Sequence, residues 1–405
     1  MAKKKKKRRL RKRTRNRIIF GVICTLILVI CVNIVSFTIK TIKNIFVKEE
    51  ITTEMVSEEV KQDNVVSFMG VGDNLIHSNI FNDAKNEDGY DFTKMYKNFS
   101  KDAKQADIAF INQETILGGE ELILSGYPNF NSPSEIAKNL EDTGFNLVNL
   151  ATNHSLDRYE QGIENELETF RDTDMVFDGV YDSEQAYNTI PTFEKKGITF
   201  SFLAYTYGTN GIVPNYDYNV SYLDEDSIRD EVNRAKEISD VVIVSSHWGD
   251  ENTFEPNEYQ KYYAQLFADC GVDVVIGTHP HVIQPVEWIT GENGNKMLCV
   301  YSLGNFMGGM LSSENIVGGM IQFGFVQKED DITIENVKWT PTIIHFEGNQ
   351  NNIMDERDHF KCYKIDQYSD SLAKKHVLNG FEGNEVSIEY IMSLTEDVID
   401  EEFLK

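Results

Sequence analysis

Residues 18–39, IIFGVICTLILVICVNIVSFTI, run for 22 positions without a charged side chain. As a helix rising about 1.5 Å per residue they reach about 33 Å, enough to cross the hydrocarbon core of a bilayer. The stretch before them is KKKKKRRLRKRTRNR, and residues 1–48 hold 15 Lys or Arg and no Asp or Glu. The positive-inside rule therefore places residues 1–17 in the cytoplasm and the chain after residue 40 outside, as a single-pass protein of the cell membrane. A cleaved signal peptide would have a shorter apolar core and a small-residue cleavage site. This stretch is longer and runs into SFTIKTIKNIF with no such site, so an uncleaved anchor is expected. A nucleic-acid-binding tail is disfavoured, because the basic block abuts the apolar span directly.

Beyond residue 48 the balance reverses, with 24 basic against 65 acidic side chains and a net charge of −41. A surface this acidic repels nucleic acid and anionic membranes except where a bound cation inverts the local field. Residues 40–64 are polar and acidic and read as a stalk. Residues 65–345 read as one folded domain, and residues 346–405 as a C-terminal extension of helix and loop. Cys270, Cys299 and Cys362 are isolated from one another, so they form neither a disulfide framework nor a zinc knuckle, and buried free thiols are expected.

Within the domain, short apolar runs alternate with amphipathic segments. Strands are expected at Val65–Val71, Ala106–Asn112, Leu147–Leu150, Ile198–Tyr205, Val241–Ser245, Val272–Ile276, Lys296–Tyr301, Ile316–Val326 and Ile332–Trp339. Asp157 reads as the cap of a helix burying Ile163, Leu167 and Phe170. A second helix should start near Pro256, bury Tyr259, Tyr263, Leu266 and Phe267, and stop at Gly271. The pattern indicates an α/β domain with parallel pairing and a β-rich C-terminal half. Polar ligand types collect just past successive strands: Asp73, Glu114, Asn153 with His154, His247, and His279 with His281. Ligands bind beyond the carboxyl ends of strands in open α/β sheets. Carboxylate, carboxamide and imidazole donors without thiolate suit one or two divalent ions, Mn, Fe or Zn.

Gly72-Asp73, Asn112-Gln113-Glu114, LATNHSLD (150–157), HWGDE (247–251), GTHPHVIQPVE (277–287) and YSLGNF (301–306) occur in this order. With them the chain resembles the CapA/PgsA poly-γ-glutamate capsule proteins, within the calcineurin-like metallophosphatase superfamily, over roughly residues 65–310. The resemblance implies a four-layer αββα sandwich, two sheets face to face with helices outside, around a two-metal site. It assigns Asp73 and His281 to one metal, Asn153, His247 and His279 to the other, and Glu114 to the bridge, where the superfamily has Asp. His154 would stand beside the substrate as proton donor or charge stabiliser. The superfamily's first motif is Asp-x-His, whereas Asp73 is followed by Asn74 and Leu75. The first metal position is thus one imidazole short, and His77 is the nearest substitute.

Three functions follow as expectations. The first is a membrane-anchored component of poly-γ-glutamate capsule synthesis or export, working with other capsule-synthesis membrane proteins and handling the anionic polymer at a metal pocket. The second is an extracytoplasmic metal-dependent phosphoesterase or amide hydrolase. The third is a non-catalytic scaffold of a capsule-synthesis complex. No G-x-S-x-G elbow, P-loop or dinucleotide fingerprint is present, so any ATP-driven ligation belongs to a partner.

Overall fold

The computed structural model describes residues 2–54, 64–329 and 331–405. The chain forms two units, Met1–Gln62 and Asp63–Lys405. In the first, Ala2–Glu54 is a single helix. Its Arg11–Lys43 portion is, among the described residues, the one helix long and apolar enough to cross a membrane. The apolar side chains of this portion are exposed. Its polar side chains turn back on the helix: Asn33 Nδ2 donates to Val29 O and Thr41 Oγ1 to Phe37 O, each at 2.8 Å. Internal satisfaction of this kind is what a hydrocarbon surrounding demands. The expected stalk begins as a continuation of this helix to Glu54, and its residues 55–63 lie outside those described.

In the second unit the apolar runs assemble into two large sheets. The larger runs, edge to edge, Arg357–Lys364, Asp331–Gly348, Val317–Lys328, Asn64–Asn74, Ile108–Gln113, Leu147–Asn149 and Val176–Asp178, with Asn305–Met307 also paired to Asn64–Asn74. The smaller runs Val286–Thr290, Lys296–Val300, Val274–Thr278, Val241–His247, Ile198–Thr206 and Thr192–Lys195. Pairing is parallel among the strands ending at Asn74, Gln113, Asn149 and Asp178. It is also parallel among those ending at Val300, Thr278, His247 and Thr206. Asn305–Met307 also pairs parallel to Asn64–Asn74, and the other large-sheet strands pair antiparallel as the β-rich C-terminal half.

The sheets face each other across an aromatic layer. Phe68 stacks on Phe323 at 4.5 Å, Phe200 meets Phe325 at 5.1 Å, and Phe110 meets Phe202 at 6.2 Å. Strand periodicity sends alternate residues of the smaller sheet the other way, so Leu203, Tyr205, Val242, Val244 and Val275 pack under helices Glu225–Ile238 and Glu258–Cys270. On the far side of the larger sheet, Phe306 meets Tyr96, Phe99 and Phe145 from short helical segments and a loop. The result is the four-layer αββα sandwich.

Three local expectations change. Helix Glu258–Cys270 is capped by Asn257, with Gln260 completing a capping box, and it leaves Tyr259 40% exposed while burying Gln260 and Ala264. Residues 346–405 do more than cover the domain: Arg357–Lys364 extends the larger sheet, and Phe346, Phe360 and Leu378 join the main core. Asp157 does not cap a helix; its carboxylate points elsewhere, as described below. Cys299 and Cys362 are buried free thiols, and Cys270 is a half-buried one.

Candidate metal centre

The parallel strands of both sheets end at the same place. In the larger sheet Asp73 lies opposite Asn112, and Asn112 opposite Asn149. In the smaller, His247 lies opposite Thr278. Two glycines allow the approach. A Cβ on Gly72 would stand 1.8 Å from Gly304 O, and one on Gly277 would stand 2.0 Å from Tyr301 O. His279 and His281 follow with φ of 96° and 58°, a left-handed region that non-glycine residues rarely occupy. Flanking Pro280, both imidazoles are buried and face one cluster; backbone strain of this kind collects at functional sites.

Asp73 is held from three sides. Its Oδ1 accepts from Asn112 Nδ2 at 2.8 Å, and its Oδ2 lies 3.1 Å from His281 Nδ1 and 3.4 Å from the His279 amide. Asn149 Nδ2 in turn donates to Asn112 Oδ1 at 2.7 Å, a buried amide ladder that fixes the carboxylate. His281 Nδ1 also meets Asn305 Oδ1 at 3.1 Å, which directs Nε2 towards Glu114 Oε1, 3.5 Å away. His247 Nδ1 bonds Thr278 Oγ1 at 2.9 Å, while its Nε2 lies 3.0 Å from Asn153 Oδ1 and 3.8 Å from Glu114 Oε1. His279 packs at 4.7 Å from His247 and 4.6 Å from Tyr207, and its buried Nδ1 has no partner.

Glu114 sits at the middle of this group. Both its carboxylate oxygens are buried without a hydrogen bond. Its donor atoms lie within 4.8 Å of those of His279 and His281 in one set, and of Asp73 and His247 in another. Burial pushes the Glu114 carboxyl well up, against the pull of His281. Burial also favours neutral His281, but the Glu114 and Asp73 carboxylates override it and push the imidazole up to about 10. Burial and the neighbouring imidazoles push His247 and His279 well down, so their lone pairs are free to coordinate. The six expected residues thus meet in one buried cluster, and Glu114 is common to both donor sets.

His154 stands at the edge of this cluster. Its Nδ1 lies 2.7 Å from Asp157 Oδ2, which also accepts from the Phe130 amide at 2.7 Å. Asn210 bridges the two sides, reaching His154 Nδ1 at 3.4 Å and accepting from Asn153 Nδ2 at 3.2 Å. Leu75, where the missing imidazole would stand, is an apolar core residue at 3% exposure. Asn74 is turned to Gln113 Oε1 at 2.7 Å and Tyr96 OH at 3.0 Å. His77 Nδ1 lies 3.1 Å from both Leu75 O and the Gly309 amide, and neither donor set includes His77.

The family profile described as "Bacterial capsule synthesis protein PGA_cap" matches residues 67–310, the span that carries every residue of this cluster. The chain belongs to this family. PGA biosynthesis protein CapA of Bacillus subtilis (strain 168) is 32% identical over 185 residues, 43% of this chain and 45% of that protein. Capsule biosynthesis protein CapA of Bacillus anthracis is 27% identical over 179 residues, 43% of this chain and 42% of that protein. The chain thus spans less than half the length of these curated relatives. Among solved structures, the calcineurin-like phosphoesterase YfkN from Bacillus subtilis is similar at TM-score 0.44 and 12% identity, covering 83% of this chain and 97% of that one. A putative 5'-nucleotidase from Staphylococcus aureus is similar at TM-score 0.44 and 15% identity, over 68% and 54%.

In this capsule-synthesis family member, several residues that build the site carried no role in the sequence reading. Asn112, Thr278 and Asn305 lie inside the quoted motifs, as does Asp157, whose expected role was only that of a helix cap, and the motifs were the available signal. Asn149 and Asn210 lie outside them and had none. Trp248 is core, donating to Tyr301 O at 3.0 Å, whereas Trp288 is 38% exposed on an edge strand. Glu251 is exposed.

Behind Glu114, the Leu117 amide donates at 3.1 Å to Glu166 of helix Tyr159–Arg171. Burial pushes that carboxyl up to about 8. A raised carboxyl favours the folded state while it keeps its proton, so stability is highest below about pH 4.3 and falls as pH rises towards 8. Glu166→Gln should remove about 1.4 kcal/mol per pH unit from that slope. Thermal midpoints of wild type and variant between pH 5 and 8 check this, and parallel curves would refute it.

Proposed function

We propose that this chain is an anchored, extracytoplasmic component of poly-γ-glutamate synthesis or export that binds one or two divalent ions, Mn, Fe or Zn, at the Glu114 cluster. The carrying observation is the Glu114 carboxylate, buried and without a hydrogen bond on either oxygen among three imidazoles. Such a group is costly unless a cation joins it. Oxygen and imidazole donors without thiolate fit such an ion. The resemblance would pair Asp73 with His281 and Asn153 with His247 and His279, whereas the donor atoms here group as Glu114, His279 and His281 and as Asp73, Glu114 and His247; in either arrangement Glu114 would serve both sets. A bound divalent ion supplies charge stabilisation at a carbonyl or phosphoryl oxygen and an activated water. The chain's own part is orientation. Asp157 fixes His154 through Nδ1, leaving Nε2 as the ring nitrogen to donate a proton or stabilise charge. The basic block and the apolar helix support an anchor with residues 1–17 in the cytoplasm and the domain outside.

An acidic domain binds a polyanion poorly along its general surface, so the polymer should be held through the metal centre. Poly-γ-glutamate is expected to co-sediment with the Asp63–Lys405 unit in Mn and to be released by chelator. Equal capture in both would contradict the reading. The His154–Asp157 pair at 2.7 Å favours a second reading, a metal-dependent phosphoester or amide hydrolase. That reading expects Mn-dependent turnover of a generic phosphodiester, lost on His247→Ala.

A further inference from the structure

Residues 64–405 contain five arginines. Arg171 and Arg229 each meet a carboxylate at 2.8 Å, and Arg234 meets one at 2.9 Å. Among the described residues, no carboxylate oxygen is paired with Arg158 or Arg357, and each is linked through intervening residues to His154 or His77. Arg158 follows Asp157, the residue that orients His154. Its Nη1 donates to Asp157 O at 2.7 Å, and its Nη2 to Asn129 O at 3.3 Å and to Ser125 Oγ. The next residue after Asn129, Phe130, lies edge-on to His154 at 4.7 Å and to His77 at 5.2 Å. The Gly309 amide meets His77, and Gly309 O accepts from Arg357. Arg357 is 8% exposed and lies against the faces of Phe346 and Phe360. Its Nε has no partner.

A unit with a large excess of carboxylates has thus left two guanidiniums without one, each linked through a few contacts to the His154 side of its candidate metal centre. Arg357 adds an uncompensated buried positive charge. Arg158 is half-buried, and its three contacts leave two of its five N–H donors unused. Nη2 spends both its protons, so the free donors, Nε–H and one Nη1–H, lie on different edges, and each can meet a carboxylate oxygen singly with the guanidinium charge behind it. We propose that Arg158 forms a substrate subsite beside His154, backed by the charge of Arg357, and that its ligand is an acidic chain bearing repeated carboxylates. The inference rests on the polymer-binding reading and places the cationic contact outside the metal ligands.

The test uses the full chain in detergent micelles with Mn. Calorimetry measures binding of a synthetic γ-linked glutamate hexamer and of the same hexamer with its free carboxylates amidated. Arg158→Gln should weaken the carboxylated hexamer about tenfold or more, leave the Mn content unchanged, and be partly rescued by Arg158→Lys, while the amidated hexamer, which lacks the carboxylates, should bind wild type at least as weakly as the carboxylated one binds Arg158→Gln. Wild-type affinity in Arg158→Gln, with binding abolished in His247→Ala, would overturn this inference and leave the metal-centre reading standing. Absence of hexamer binding to wild type in Mn would overturn both. Loss of Mn together with hexamer binding in Arg158→Gln, or binding of the amidated hexamer to wild type as tightly as the carboxylated one, would overturn the inference alone.

Discussion

Glu114→Gln is expected to raise the thermal midpoint of the chelator-treated domain and to weaken metal binding more than about a hundredfold. The two effects have one cause. In the metal-free cluster the carboxylate is buried and both oxygens lack hydrogen bonds. A neutral amide of the same size is cheaper to bury, by about 1–3 kcal/mol. At about 1–2 °C per kcal/mol for a unit of this size, the midpoint should rise by roughly 1–5 °C. With metal present the sign reverses, because Gln offers one neutral oxygen where Glu114 brings a charge to both donor sets. Losing an outer partner of a metal ligand already costs about 10- to 100-fold in affinity, and losing the central ligand should exceed that. Calorimetric melts in chelator and in Mn read both halves. A midpoint that falls in both conditions would mean that Glu114 is a structural residue.

Gly277→Ala is expected to disrupt the site by displacing the strand ends of the smaller sheet that carry His247 and His279. The new Cβ would stand 2.0 Å from Tyr301 O and 2.7 Å from the Trp248 indole nitrogen. Neither neighbour can retreat easily. Trp248 is fully buried and donates to that same carbonyl at 3.0 Å. The carbonyl lies just past the adjacent parallel strand, in the loop whose Ser302 Oγ donates to Val282 O at 2.8 Å. Overpacking of this severity belongs with the losses above about 4 kcal/mol. The midpoint should fall by roughly 5 °C or more, with loss of His247 and His279 alignment. Gly294→Ala is the control, since nothing lies within 4 Å of its Cβ, although its φ of 82° adds a small cost of its own. Similar small losses in both variants would show that the strands can part and that close approach at Gly277 is not required.

The central strands were legible because burial on both faces demands unbroken β-branched runs. Val241–Val244 shows this directly, and its observed strand runs on to His247, whereas Val272–Ile276 is interrupted by Asp273 and its observed strand begins at Val274 and runs on to Thr278. The edges were not. Arg357–Lys364 reads RDHFKCYK, with Arg357, Phe360 and Cys362 buried, because an edge strand keeps charged residues outward. Val176–Asp178 spans three residues, too few for a period. Asp157 was misread because Asp before an amphipathic helix looks like a cap. The local pattern cannot show that the Phe130 amide and His154 claim the side chain from elsewhere in the chain. For the site, residue types at strand ends were readable and their partners were not. Asn149 secures Asp73 only through Asn112, and Asn210 arrives from a loop with no motif. The left-handed turns at His279 and His281 depend on the close approach at Gly72, Gly277 and Gly304, which no short window contains.

Metal content of the Asp63–Lys405 unit, purified without chelator and read by elemental analysis, tests the central claim most directly. Wild type should carry between about one and two divalent ions per chain, Asp73→Asn fewer, and His279→Ala fewer again, with all three proteins folded by near-UV circular dichroism. A folded wild type that carries no ion, and takes up none from millimolar Mn, Fe or Zn, would contradict the account.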